Sequence, residues 1–213
     1  MSATDAMPAA DAFGLLCQGL AVAALVRTAL DRLRPGTDRL AGAFIAAVTV
    51  AATLAVPIGG ASLAMQLRAV IGDPAAVTAT LLALAAFAPG VLPARPRPGT
   101  LVGTACALGI LLWMPVFVGT YPFGFDAYAL GWRPWSFVGV GALLAAIAWR
   151  RRADGWIAVA GIALLCWGAG LVESDNLWDA LVDPWLVGGC LVVGVADALA
   201  ARRRAVRPSP AAA

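Results

Sequence analysis

The sequence predicts an all-α fold: a polytopic transmembrane helix bundle of six spans arranged as three hairpins, preceded by an N-terminal amphipathic helix. Of the 213 residues, 62% are hydrophobic and only 13% are charged, with a mean hydropathy of +0.86. Soluble domains are nearer to about a quarter charged. The apolar residues also come in long runs separated by short polar segments, which is typical of helices that cross a bilayer.

The first 36 residues are the least regular part of this pattern. Residues 1–10 are small and polar, and we expect them to be disordered. In residues 11–36, apolar side chains recur at helical spacing while Arg27, Asp31 and Arg34 share another face. This predicts an amphipathic helix in the membrane interface. Its uncharged run would be about 22 Å long, short of a hydrocarbon core of about 30 Å. A further span is the alternative.

Residues 37–201 are predicted to hold the six spans, and residues 202–213 a disordered cytoplasmic tail. Proline and the Gly59-Gly60 pair end the first span, after which apolar residues at helical spacing predict a short interfacial helix over 63–71. The spans are predicted at residues 40–58, 75–92, 100–119, 136–149, 156–172 and 184–200.

The arginines predict the orientation of the spans. They lie before the first span and after the second, fourth and sixth, whereas the other three loops hold only Arg68 and Arg133. The positive-inside rule then places the basic turns and the C-terminus in the cytoplasm and loops 59–74, 120–135 and 173–183 outside. The lysine-free composition, rich in alanine and arginine, suggests a high-GC bacterial genome and hence a bacterial inner membrane.

The third outer loop carries the strongest candidate site, because it concentrates acidic residues in a chain with few charges. Asp175, Asp179 and Asp183 are spaced four apart and would share one helix face, close to Glu173. Crowded carboxylates can act as general acid and base, since like charges raise one pKa, or bind Ca²⁺ or Mg²⁺. Glu173, Asp175 and Asp179 are therefore the candidate catalytic residues. The spacing matches no known metal-ligand motif, so no metal is predicted.

A structural role for the same loop is the alternative. Asp183 precedes a proline and Asp175 precedes a short apolar stretch, so both could cap helices. Trp178 would then belong to the aromatic belt at the membrane surface. If the loop binds a ligand or partner instead, Asn176, Trp178 and Asp183 are its candidate contacts.

The other two outer loops contribute further candidate binding residues. Asp126, Tyr128, Trp132 and Arg133 lie in an aromatic loop that either anchors the chain at the interface or forms a platform for a sugar, a lipid headgroup or a partner protein. In the first loop, Gln66, Arg68 and Asp73 could complete a shared outer pocket.

Composition excludes several classes of function. The chain contains no histidine and no lysine, and it lacks the GxSxG, HExxH and P-loop motifs. No cofactor is predicted. The net charge of +3 is small and every positive side chain is an arginine near the end of a segment, so there is no reason to expect nucleic-acid binding.

Three stretches of the sequence together resemble a family of bacterial multi-pass inner-membrane proteins to which no activity is assigned. They are residues 57–63 with Gly72-Asp73, residues 125–132, and residues 173–184. The resemblance covers roughly residues 40–200. It implies a membrane protein whose three outer loops matter, and it implies no reaction.

The first functional hypothesis is a non-enzymatic accessory or scaffold subunit whose outer loops bind a partner protein or lipid. The second is a membrane enzyme acting on a lipid-linked substrate through Glu173, Asp175 and Asp179, with Arg68 or Arg133 holding an anionic headgroup. The third is a small permease or flippase. The expected partners are the bilayer and either a membrane protein or a lipid-linked ligand.

Overall fold

A computed structural model describes residues 8–93, 96–115, 119, 121, 124–132 and 134–206 of the protein. This part of the chain is predominantly helical, as the sequence predicts. The α-helices are α1 (Ala9–Leu33), α2 (Arg39–Ala55), α3 (Leu63–Ile71), α4 (Ala76–Phe87), α5 (Pro98–Leu108), α6 (Pro134–Arg150), α7 (Asp154–Gly168), α8 (Leu177–Leu181) and α9 (Pro184–Val206). Short 3-10 helices occupy Pro89–Val91 and Tyr128–Trp132, and a π-helical turn, Gly109–Trp113, extends α5.

A two-residue β-hairpin precedes α3. Strands β1 (Pro57–Ile58) and β2 (Ala61–Ser62) pair in antiparallel register across Gly59 and Gly60, whose φ angles are 63° and 95°. Positive φ at both central residues defines the type I′ turn, which glycine adopts without strain. Ser62 then caps α3 by accepting a hydrogen bond from the Met65 amide at 3.3 Å. The predicted break and the predicted short helix are both confirmed.

The chain divides into two compact units. The first comprises Met1–Pro93 and Pro134–Asp183, and the second comprises Ala94–Arg133 and Pro184–Ala213. In the first unit, α1 packs along α2 and α4, α4 also contacts α7 and α8, and α6 contacts α7. In the second unit, α5 packs against α9.

Small residues form the interior of the first unit. Its core cluster contains Ala23 and Ala24 of α1, Ala46 of α2 and Ala86 of α4. A Cβ on Gly19 would lie 3.1 Å from the Val50 side chain, so α1 and α2 approach closely. In the second unit, a Cβ on Gly194 would lie 2.7 Å from Val102. Close backbone approach through small residues is typical of helices packed in a membrane.

Large apolar side chains lie on the outside of both units. Leu25, Phe44, Trp149, Leu165 and Val192 are each at least 70% exposed. A soluble monomer rarely exposes so many large apolar side chains, because the exposure of apolar surface to water is unfavourable in free energy. This arrangement, with small residues inside and large ones outside, supports an apolar surrounding for the helices.

Two helices are long and apolar enough to cross a membrane by length and composition: α1 and α9. At about 1.5 Å per residue, the 25 residues of α1 span about 37 Å, enough for a bilayer core of about 30 Å. The other apolar helices have 10–17 residues. The structure therefore establishes the all-α class and two candidate spans, but not the complete six-span bundle.

Helix α1 turns Arg27 towards its neighbouring helices. Arg27, on the face that also carries Asp31 and Arg34, is only 5% exposed, whereas Val26 and Leu33 are exposed. The Arg27 guanidinium pairs with Asp31 at 3.0 Å and lies over Gly42 of α2, where a Cβ would overlap it. The small residues of α1, rather than its large ones, therefore face the neighbouring helices, and the placement of this helix in the membrane interface stays a prediction.

Candidate functional site

Arg68 on α3 lies at the centre of a group of carboxylates drawn from distant parts of the first unit. Its Nε donates to both carboxylate oxygens of Asp73, at 2.9 and 3.0 Å, and its Nη2 lies 2.8 Å from Oδ2 of the same residue. Its Nη1 donates to Asp11 Oδ1 at 2.6 Å, and Nη2 also donates to Glu173 Oε1. We call Arg68, Asp11, Asp73 and Glu173 the Arg68 cluster.

Local structure explains how α3 brings Asp73 to its own arginine. Gly72 caps the C-terminus of α3 with a φ of 69°, a left-handed conformation that turns the chain sharply. The Gly72 carbonyl accepts a hydrogen bond from Gln18 Nε2 of α1 at 2.8 Å, which fixes the turn against that helix. The turn therefore places Asp73 beside Arg68.

Gly14 lets α1 approach this turn. A Cβ at Gly14 would lie 2.5 Å from both carboxylate oxygens of Asp73, closer than nonbonded atoms approach. Asp11, one helical turn earlier, can therefore reach Arg68 while also lying in the first turn of α1. A carboxylate there interacts favourably with the positive end of the helix dipole.

The Arg68 cluster sets one guanidinium against three carboxylates. The hydrogen bonds that Arg68 donates to Asp73 and then to Asp11 raise the pKa of Arg68 above its ordinary value. Arg68 therefore remains charged at any pH that the protein would meet. With one positive and three negative formal charges, the cluster carries a net charge of −2. The Arg68 guanidinium is already paired with three carboxylates, so the cluster does not favour binding of an anionic ligand.

The third outer loop makes a second long-range contact to the first loop. Asp183 is buried, and its Oδ2 accepts a hydrogen bond from the Ala75 amide at 2.6 Å. Ala75 is the N-cap residue of α4. The structure places the Asp183 carboxylate at the start of α4, 108 residues away in sequence. The predicted cap on the helix that follows Asp183 stays a prediction.

Asn176 organises the third loop locally. It is fully buried, and its Oδ1 accepts from the Trp178 amide at 3.0 Å, which caps the short helix α8. The backbone amide of Asn176 donates to Ser174 Oγ at 3.0 Å. A cap in this loop was predicted at Asp175, but Asn176 provides it. An amide side chain here satisfies helix amides that burial would otherwise leave unpaired.

The predicted single face of acids is not present. Helix α8 covers only residues 177–181, so Asp175 precedes it and Asp183 follows it, and the four-residue spacing does not place them on one helix. Asp175 is exposed, and its carbonyl accepts from Trp167 Nε1 at 3.2 Å. Trp178 and Asp179 are half-buried on α8, and neither is free of partners.

Gln66, the remaining candidate in the first loop, has a structural role. Its Nε2 donates to the Ile58 carbonyl and, at 3.3 Å, to the Ala61 carbonyl. These bonds fasten α3 to the β-hairpin before it. Of the first-loop candidates, therefore, Gln66 holds the loop together internally, whereas Arg68 and Asp73 join it to other segments.

The aromatic loop lies in the second unit. Asp126 Oδ1 accepts from the Ala129 amide at 3.1 Å, and its Oδ2 accepts from the Tyr121 hydroxyl at 3.4 Å. Asp126 thus stabilises the start of the 3-10 helix that contains Tyr128 and Trp132. Tyr128 is half-buried and engaged, and Trp132 is exposed. Arg133, predicted as a second polar contact, lies outside the described residues.

Within the described residues, no group of three or more histidine, cysteine, aspartate or glutamate side chains could hold a metal ion. In the Arg68 cluster, the guanidinium occupies the place between the carboxylates that a cation would need. The cysteines found in the described part of the chain are unpaired thiols.

Three residues of this site were not among the predicted contacts: Asp11, Gly14 and Gln18. All lie on α1, which was expected in the plane of the interface. One sequence signal pointed to them. If residues 9–33 cross the membrane, the arginines at 32, 34 and 39 fix the far end inside, and Asp11 then lies on the same side as Arg68.

Comparison with known proteins adds nothing to this description. No protein-family model matches the chain, and no curated protein and no solved structure is significantly similar to it.

Proposed function

We propose that the protein is a non-enzymatic integral membrane protein, an accessory or scaffold subunit whose outer loops bind a partner protein or lipid. One observation carries this proposal: the acidic side chains that lie close together in the structure are engaged in contacts between segments of the chain, which stabilise the tertiary structure. Arg68 binds Asp11, Asp73 and Glu173, and the Ala75 amide binds Asp183.

The membrane placement rests on the distribution of side-chain sizes together with the two long apolar helices. We propose seven spans, formed by α1, α2, α4, α5, α6, α7 and α9. The end of α1 that carries Asp11 is then outside with loops 59–74 and 173–183, and the turn between α1 and α2 is cytoplasmic. This assignment keeps every arginine-rich turn inside, and an inner bacterial membrane suits the composition.

The membrane-enzyme alternative loses part of its machinery. It needs two carboxylates that exchange a proton with a substrate, and Glu173, Asp175 and Asp179 were its candidates. Glu173 is paired with Arg68, which was one of the two arginines, with Arg133, expected to hold the headgroup of the substrate. Only Asp175 and Asp179 remain for catalysis, and they flank the start of a five-residue helix.

The experiment that tests the proposal is purification of the full chain in mild detergent, followed by mass spectrometry of every co-migrating species. We expect the protein in carbonate-washed membranes, with a partner protein at fixed stoichiometry that is retained by Asp179→Asn. The matched control is Asp38→Asn, an exposed acid on the proposed cytoplasmic side where asparagine can still cap α2.

The opposite result would be a co-purifying lipid-linked sugar or lipid phosphate that is lost in Asp179→Asn but kept in Asp38→Asn. This outcome would favour the enzyme and overturn the accessory role. Recovery of the protein in the soluble fraction would overturn the membrane placement itself.

A further inference from the structure

An apolar groove lies between α6 and α7 in the first unit, at the end of the hairpin where the two helices join. Its volume is about 520 Å³, within the usual range for small-molecule sites. The walls are formed by Ala145, Ala146 and Trp149 of α6 and by Ile157 and Ala158 of α7, with Asp154 at one end. The small side chains leave room that the large residues elsewhere on these helices would fill.

The residues beside this groove give it a positive end. Arg150, Arg151 and Arg152 follow Trp149 directly and are all exposed. Among the described residues, none of them forms an ion pair, since the pairs present involve only Arg27 and Arg68. With Asp154 counted, the end of the groove carries a net formal charge of +2.

The backbone at Arg152 places an arginine where glycine would fit better. Arg152 has a φ of 57°, the only positive φ of a non-glycine residue in the described part of the chain. Its amide donates to the Trp149 carbonyl at 3.0 Å, and the Ala153 amide donates to the Ala148 carbonyl at 2.8 Å. This pattern is a Schellman motif, which usually places glycine at the left-handed position.

Helix α7 ends in the same motif with the usual residue. Gly170, with a φ of 68°, donates to the Trp167 carbonyl, and the Leu171 amide donates to the Cys166 carbonyl, both at 3.0 Å. The chain thus uses glycine at one helix end and arginine at the other. Strain of this kind tends to accompany a functional requirement for the side chain. Orientation by the positive-inside rule does not require it, because that rule depends on the number of charges rather than their backbone conformation.

We propose that this groove binds an anionic phospholipid of the cytoplasmic leaflet, with an acyl chain along the apolar walls and the phosphate at Arg150–Arg152. The inference rests on the membrane placement proposed above. Basic sites at the cytoplasmic ends of membrane helices suit anionic headgroups, and arginine forms paired hydrogen bonds to phosphate oxygens. Trp149 lies where indole rings favour the membrane interface.

The charge requirement is tested with the purified full chain in nanodiscs that contain phosphatidylglycerol and phosphatidylcholine, with retained lipid counted by native mass spectrometry. We expect the wild type to retain phosphatidylglycerol selectively. Replacing Arg150, Arg151 and Arg152 together by glutamine should weaken this retention by on the order of a hundredfold, at about 1 kcal/mol per arginine. Replacing Arg202, Arg203 and Arg204 together removes the same charge elsewhere and should leave retention within about threefold. Equal losses in both variants would show only general attraction to the surface and would overturn the site.

The groove is tested without a change of charge. Ala158 and Ala160 are both exposed on α7, but only Ala158 lines the groove. Ala158→Leu therefore places a larger side chain in the groove, and Ala160→Leu places the same side chain outside it. We expect loss of the retained phosphatidylglycerol in the first variant alone. Arg152→Gly should raise the unfolding temperature and still lower retention. Unchanged retention in Ala158→Leu, or in Arg152→Gly, would overturn the proposal.

These measurements separate the two proposals. Every variant should stay in carbonate-washed membranes, because none places a polar or charged side chain inside a proposed span. Wild-type protein that is embedded but shows no preference for phosphatidylglycerol contradicts the lipid site alone. Wild-type protein that is absent from the membrane contradicts both proposals.

Discussion

Replacing Arg68 by glutamine tests the structural role of the Arg68 cluster most directly. The guanidinium joins α1, the end of α3 and the segment before α8, and its removal leaves three carboxylates facing one another. Its side chain is 23% exposed, so solvent screens these interactions only in part. We expect a clear loss of stability without loss of membrane insertion.

The three partners should contribute unequally, because their exposure differs. Asp73 is 26% exposed and is held in a fork of hydrogen bonds, worth about 2 kcal/mol for bonds between charged groups. Asp11 is 34% exposed and should contribute about 1 kcal/mol, discounted for solvent screening. Glu173 is 58% exposed and should contribute at most about 0.5 kcal/mol. The expected cost of Arg68→Gln is therefore about 3 kcal/mol.

The assay is reversible unfolding in mixed detergent micelles, with double-mutant cycles that pair Arg68→Gln with Asp73→Asn and with Glu173→Gln. We expect coupling energies of about 2 and at most about 0.5 kcal/mol, respectively. Arg34→Gln, an exposed arginine at the end of α1, should change stability by less than about 0.5 kcal/mol. A coupling to Glu173 as large as that to Asp73, or no effect of Arg68→Gln, would refute the reasoning.

The remaining predictions concern pH, the glycine contact and the loop cap. Folding raises the pKa of Arg68, so the stability that Arg68 contributes is fully present below its ordinary pKa and is lost only at still higher pH. The difference in unfolding free energy between wild type and Arg68→Gln should therefore stay constant from pH 7 to 10. Unfolding measured across this pH range checks the prediction. Gly14→Ala should cost about 1–2 kcal/mol of stability because its Cβ displaces the Asp73 carboxylate. The control Gly161→Ala, with nothing within 4 Å of its Cβ, should be neutral or stabilising by up to about 1 kcal/mol. A neutral Gly14→Ala in the same unfolding assay would contradict the close approach of α1 to Asp73. Asn176→Ala should cost about 1–2 kcal/mol through loss of the α8 cap, and proteolysis of loop 173–183 should accelerate; equal protection of the loop in wild type and variant would argue against this role.

The helices could be predicted because their signals are local. Apolar runs, the Gly59-Gly60 turn and the residues that precede a proline each influence only the few residues beside them. Their effect on the backbone can therefore be predicted from the sequence without knowledge of the tertiary structure. The boundaries were less accurate: the span expected over 75–92 is a helix only over Ala76–Phe87, followed by a short 3-10 helix. Proline at 89 stops the α-helix before the apolar run ends.

The acids of the third loop show where sequence reasoning failed. A four-residue spacing predicts a shared face only if one helix covers all the positions, and α8 is too short to do so. Asn176, which caps α8, carries no charge and therefore attracted less attention than Asp175. The choice between neighbouring polar residues for a cap depends on which side chain the fold buries.

The sequence alone determined that this protein is all-helical, that its composition suits a membrane, and that it lacks the common catalytic motifs. Only the tertiary structure showed that Arg68 meets Asp11 and Glu173, 57 and 105 residues away, and that Asp183 accepts a hydrogen bond from the Ala75 amide, 108 residues away. It also showed that α1 turns its small residues and Arg27 inward. The physical reason is that hydropathy and helix signals are properties of adjacent residues, whereas an ion pair requires two groups within about 4 Å, a distance that helix packing alone decides.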